Sequence, residues 1–273
     1  MVVVSDGQPT AGVVEPSGLV QLVGRAHDLA ITVTALGVGA EYDGMLMQHL
    51  AERGGGMYGY LRDGSALDEV LSKEVTAART SRVRNVELVL RPSSGLRILE
   101  VPGRHVEYSA DGDVLHLADL RPGAPTRVLV RLTSDRVEAD QLLDVSATLR
   151  YRPLNGETLA TWLPLKVLAI DDGDAARKSR EEGLWAAGVS ATGSVRMLAA
   201  AAAYERGDLA KAGSLLDNAK SLFGMSADAL AGTAEVEKMR TDFGGASVSK
   251  RKELSRSLER KKLVDFGREN EGY

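Results

Sequence analysis

The sequence predicts a chain in three parts: an α/β segment forming part of a doubly wound parallel sheet, an antiparallel β-sandwich, and an α-helical C-terminal region. Three observations predict it. From Met1 to about Ala78, short apolar runs alternate with amphipathic stretches, the pattern of parallel strands flanked by helices. From about Arg82 to Ile170 the apolar period falls to two, with no helical stretch between the runs. Roughly the last hundred residues hold almost no β-branched runs and are rich in Ala, Lys, Arg and Glu. These changes place the divisions at residues 1–80, 81–171 and 172–273.

In the first part, Met1 to Val4 is a short apolar strand ending in Asp6-Gly7. Pro16-Ser17 is a helix start, and Leu19, Val20, Leu22, Val23 and Ala26 share one helical face. Ile31 to Leu36 is a second strand, closed by Gly37-Val38-Gly39. The next helix has Met45, Leu46, Met47 and Leu50 on its apolar side and is ended by Gly54-Gly55-Gly56. Met57 to Leu61 is a third strand, and Ser65 caps a helix running through Ala77.

The second part starts with the alternation of Val83, Asn85, Glu87, Val89 and Arg91 against Val86, Leu88 and Leu90. Further strands are predicted at Leu96 to Val101, Val106 to Tyr108, Val114 to Leu117, Arg127 to Leu132, Leu142 to Tyr151 and Leu159 to Ile170. Asp111-Gly112, Arg121-Pro122-Gly123 and Asn155-Gly156 supply turns between them. In the third part, helices are predicted over Met197 to Gly207, Asp208 to Gly224, Ala227 to Phe243 and Ser249 to Phe266. Small residues from Ala199 to Ala203 and the tight Gly207-Asp208 turn read as one tetratricopeptide-type (TPR-like) hairpin.

Composition narrows the chemistry. The chain has 273 residues, 34 Lys and Arg against 38 Asp and Glu, and no cysteine. It therefore has no disulfide, no thiolate nucleophile and no Cys-ligated metal. Four scattered histidines leave little room for a His cluster, and a net charge of −4 with 4% aromatics argues against specific nucleic-acid binding. No run reaches the roughly 18 apolar residues of a membrane span, and Met1 to Gly7 lacks the pattern of a signal peptide. A soluble, cytoplasmic chain is expected.

Together, Val4-Ser5-Asp6-Gly7-Gln8-Pro9-Thr10, the strand Ile31 to Leu36 with Gly37-Val38-Gly39, Tyr42 and Asp43 behind it, and Leu50-Ala51-Glu52-Arg53-Gly54-Gly55-Gly56-Met57-Tyr58 carry a likeness. This order closely resembles the second half of a von Willebrand factor type A (VWA) domain, over about residues 1–78. The rest of the chain looks like the β-sandwich and helical tail that accompany this domain in bacterial proteins. The resemblance implies a non-enzymatic protein-interaction module. Members of the family hold a divalent cation, usually Mg²⁺, at the carboxyl ends of the strands, in a metal-ion-dependent adhesion site completed by a partner's acidic group. It implies that Asp6 stands at the family's strand-end Asp. The family's Asp-x-Ser-x-Ser loop occurs nowhere in this chain, and Thr10 is not its middle-loop Thr.

One carboxylate is too little for Mg²⁺, which wants six hard oxygen ligands in near-octahedral geometry, so no tight metal binding by this chain alone is expected. The opening on a central strand leads us to expect a truncated domain whose first half lies upstream of Met1. The unpaired edge and apolar face of such a sheet are expected to cause self-association. The alternative reading is a metal-independent scaffold that grips partners through the tail helices around Tyr204 to Phe223.

The remaining candidates have plainer readings. Gly37-x-Gly39 lacks a third glycine and a Gly-Lys-Ser/Thr, and is read as a strand-to-helix turn. No Gly-x-Ser-x-Gly elbow occurs, and His27, His49, His105 and His116 fall in separate elements, so no enzyme is expected. Asp171-Asp172-x-Asp174 lacks the later ligands of a calcium loop and is read as a linker and helix cap. The basic run Ser249 to Lys262, with Leu254 and Leu258 on one face, is read as a solvated helix with a narrow packed stripe.

Overall fold

A computed structural model describes residues 1–273 apart from 40, 63, 135–136 and 269–273. The first part is a parallel sheet of β1 (Val2–Ser5), β2 (Val33–Val38) and β3 (Gly55–Leu61), in that order. Side chains alternate across a strand, and here the alternation sorts them onto two helical layers. Val33, Ala35, Tyr58 and Tyr60 face α1 (Pro16–Asp28) and α2 (Gly44–Arg53). Leu36, Met57 and Leu61 face α3 (Leu67–Thr80) on the other side. Such burial on both faces is why the strands read as continuous apolar runs.

Two local readings change. The triple glycine does not all belong to the helix end: Gly54 is the C-cap of α2, while Gly55 and Gly56 open β3. Gly55 has φ of +65°, a left-handed conformation that lets the chain leave the helix directly into the sheet. Ser65 lies in a short 3-10 turn (Gly64–Ala66) leading into α3.

The second part has two antiparallel sheets. β4 (Val83–Pro92), β6 (Asp113–Leu117), β8 (Leu142–Pro153) and β9 (Leu159–Leu168) form one, in the order β6-β4-β8-β9; β5 (Leu96–Glu100) and β7 (Arg131–Ser134) form the other. They share a core of Val86, Leu90, Leu115, Val145 and Ala147, against which Leu96, Ile98, Val128, Val130 and Leu132 pack. The predicted strand at Val106 to Tyr108 is reduced to a single bridge, Glu107 to Val114. The run predicted over Arg127 to Leu132 pairs only from Arg131 onward. In β9 every residue is exposed, because no layer faces it and its outer edge is unpaired among the described residues.

The third part contains α4 (Gly173–Lys178), α5 (Glu182–Glu205), α6 (Leu209–Phe223), α7 (Ala231–Gly244) and α8 (Val248–Lys262). Asp172 caps α4, accepting from the Asp174 and Ala175 amides. Asp208 caps α6 through the Lys211 amide at 3.0 Å, a contact of a kind contributing about 1 kcal/mol. Helix α5 begins at Glu182 rather than Met197. Gly188, Ser190, Gly193 and Ser194 weaken its local propensity, but the Phe223 ring lies where a side chain at Gly193 would project. The Glu181 side chain caps this earlier start through the Gly183 and Leu184 amides, and Phe223 packs against the helix midway. No described helix is long and apolar enough to cross a membrane.

Candidate functional site

Three places could carry function. At the carboxyl ends of the parallel strands, Asp6 is exposed just beyond β1. Asp43 is committed to capping α2 through the Leu46 amide at 3.0 Å, and Glu41 to Lys252 at 2.5 Å. Among the described residues, no group of three or more His, Asp or Glu is placed to hold a metal. The residues present do not fit Mg²⁺, since one exposed carboxylate leaves nearly the whole coordination shell to water. Gly39, with φ of +72°, serves the strand-to-helix turn.

The second place is a clamp at the same end of the sheet. Helix α8 packs Leu254 and Leu258 into the helical core while its other side reaches β3 and the start of α2. The Tyr58 hydroxyl donates to Glu259 Oε2 at 3.1 Å, so the Tyr42 hydroxyl donates to Tyr58 across 2.9 Å. Arg256 pairs with Glu259 and, at 3.6 Å, with Glu205. Burial pushes the Glu259 carboxyl above its ordinary range, and Arg256 and the Tyr58 hydroxyl hold it back in part. The two tyrosine hydroxyls are pushed up chiefly by burial. Part of the basic run is thus held within the molecule: Lys262 is buried against Glu235 at 2.5 Å, while Lys261 reaches the same carboxylate from an exposed position.

The third place holds the four histidines, scattered in sequence, as two pairs where α1 and α2 contact the β-sheet part. His27 closes α1 and lies edge-on to His116 of β6, with ring centroids 6.4 Å apart; His49 of α2 and His105 lie 4.2 Å apart with their rings tilted by 53°. His27 is 2% exposed and its Nε2 has no hydrogen-bond partner. Burial first, then His116 and Arg53, lowers its pKa from 6.5 to about 4, with Asp28 opposing. Burial and His105 lower His49 likewise. His116 Nε2 approaches Glu107 at 3.2 Å outside hydrogen-bond geometry, and Arg53 reaches the same carboxylate at 3.5 Å.

Beside them, Glu52 is 6% exposed, accepts the His105 amide at 3.0 Å and pairs with Arg268, itself 1% exposed. Arg268 also donates to the Gly103 carbonyl. Nothing in the local pattern marks Glu52, Arg268, Tyr58 or Glu259; they are brought together only by the return of the C-terminal segment.

No protein-family model matches the chain, and no curated protein matches its sequence. Solved structures do match. A von Willebrand factor type A protein from Catenulispora acidiphila aligns at a TM-score of 0.61 and 16% identity, over 88% of this chain and 57% of that one. The human COPII-coat protein Sec24c aligns at 0.54 and 12% identity, over 94% of this chain and 39% of its own. The ArnB paralog VWA2 from Sulfolobus acidocaldarius aligns at 0.44 and adds nothing to the assignment. The chain thus spans little more than half the length of the first neighbour. A match over 88% of the chain must extend past the α/β part into the sheets and helices beyond it. In its fold, this chain carries a von Willebrand factor type A-like domain.

Proposed function

We propose that the chain is a non-enzymatic protein-interaction module, with cation-dependent capture of a partner's acidic group only where a segment bearing Asp-x-Ser-x-Ser completes the strand ends. The observation that supports it is the likeness in fold to a von Willebrand factor type A protein at a TM-score of 0.61. Asp6 is the one residue this chain brings to such a site.

Calorimetric titration of the purified chain with Mg²⁺ tests the metal part. No saturable binding at micromolar Mg²⁺ is expected, whereas tight binding lost on Asp6→Ala would overturn it. The interaction itself is read by cross-linking in native extract with and without chelator. Capture that a chelator leaves unchanged would favour the metal-independent reading.

Among the described residues β1 and β9 are edge strands, which gives the isolated chain routes to self-association. On β9, Trp162, Leu165 and Leu168 are exposed. Sedimentation is expected to show mass rising with concentration; a monomer at all concentrations would count against it.

A further inference from the structure

The extended run Val128-Leu129-Val130 leads straight into β7 yet has no partner strand among the described residues. Among the described residues, its backbone N–H and C=O groups make no hydrogen bond. Arg127 before it is held by the Gly267 carbonyl at 3.3 Å, and pairing with β5 resumes only at Arg131 opposite Glu100. Three consecutive residues with unpaired backbone groups beside a groove mark a place where pairing can be added.

That place borders a groove of about 550 Å³ between the run and the helices α5 and α6. All five residues from Val128 to Leu132 line it. Side chains alternate along extended chain, so five in a row border one groove only if the backbone itself is presented to it. The opposite wall is apolar: Leu184, Trp185, Val189, Leu222 and Met225. Leu184 is 61% and Met225 57% exposed, although both sit on a wall facing apolar chain. At Gly188, on the same wall, the space a side chain would take is open. At the mouth, the Arg180 guanidinium lies 4.0 Å from the Trp185 ring centroid and has no carboxylate partner among the described residues.

We propose that this groove takes an extended strand from a protein partner. The strand would hydrogen-bond the open backbone of Val128–Val130, set apolar side chains at alternate positions against Trp185 and Leu222, and bring a carboxylate to Arg180. The fully exposed β9 is a poorer acceptor, because it has no facing wall and carries Pro164 and Lys166 on its open strand. The proposal deepens the protein-interaction reading, but it uses neither a cation nor Asp6, so the two can fail separately.

The test is selection of a degenerate ten-residue peptide library on the full chain, with apolar residues at alternate positions and Ser, Thr, Asp or Glu between them. Gly188→Leu is the control, since it fills the groove while replacing a glycine by a better helix former. We expect enriched peptides to bind saturably and to lose at least about tenfold in affinity on alternate backbone N-methylation and on Gly188→Leu, at unchanged melting temperature. Arg180→Glu is expected to reverse the preference for acidic over basic peptide ends. No enrichment, equal binding of the N-methylated peptide, or indifference to Gly188→Leu would overturn the proposal. So would a concentration-dependent dimer that Gly188→Leu dissociates, which would make a second copy the occupant.

Discussion

Arg268→Met is expected to destabilise the chain by about 3–5 kcal/mol, the cost of leaving a buried charge without its partner. Glu52 is 6% exposed and Arg268 1%, so water cannot replace the lost guanidinium without opening the junction. The Gly103 carbonyl loses a donor in the same step. Glu52 keeps the Gln48 side chain at 3.0 Å and the His105 amide at 3.0 Å, neutral donors that do not balance a full charge. Chemical denaturation of the purified variants measures the effect. The double variant Glu52→Gln with Arg268→Met is expected to recover part of the loss, since no unpaired charge then remains. Equal losses in the single and double variants would show that packing rather than charge holds the C-terminal segment in place.

Acidification from pH 7 toward pH 4 is expected to weaken the chain through His27. The group titrates near 6.5 when exposed and at about 4 in the fold. Between those values the unfolded state binds the proton and the folded state does not, so stability rises with pH across this window. His27 alone contributes no penalty above pH 7, roughly 2 kcal/mol at pH 5 and about 3 kcal/mol at and below pH 4. His49 acts in the same direction. The groups facing His27 set the effect: His116 from β6 and Arg53 from α2 repel the proton, and Asp28 attracts it. His27→Gln is expected to flatten the pH dependence of unfolding between pH 6.5 and 4 relative to the parent chain. Parallel curves for the two proteins would remove His27 as the source.

Much of the architecture was legible because it is written at short range. The change in apolar period near Arg82, the Gly207-Asp208 turn and the cap at Asp172 all depend on neighbours a few residues away, and each lies where the sequence placed it. Two readings differ from the structure. Helix α5 starts at the local Glu181 cap, ahead of where the apolar pattern placed it, and α6 brings Phe223 against Gly193 midway along it. The run at Arg127 to Leu132 leads into β7 as its composition predicts, but pairing needs a second strand, and among the described residues none stands beside its first half.

Among the candidate residues the division is similar. The order of motifs around Asp6, Gly37 and Gly54 was enough to suggest the family, and the shared fold agrees with it. The sequence by itself determined most of the order of strands and helices along the chain and the absence of thiol chemistry. Tertiary structure alone decided that the histidines pair, His27 with His116 and His49 with His105, that Tyr58 contacts Glu259 across 201 residues, and that Glu52 pairs with Arg268 across 216. The reason is physical. Backbone preference and apolar periodicity act over one or two turns, whereas the burial of a charge depends on which surfaces the completed chain brings together.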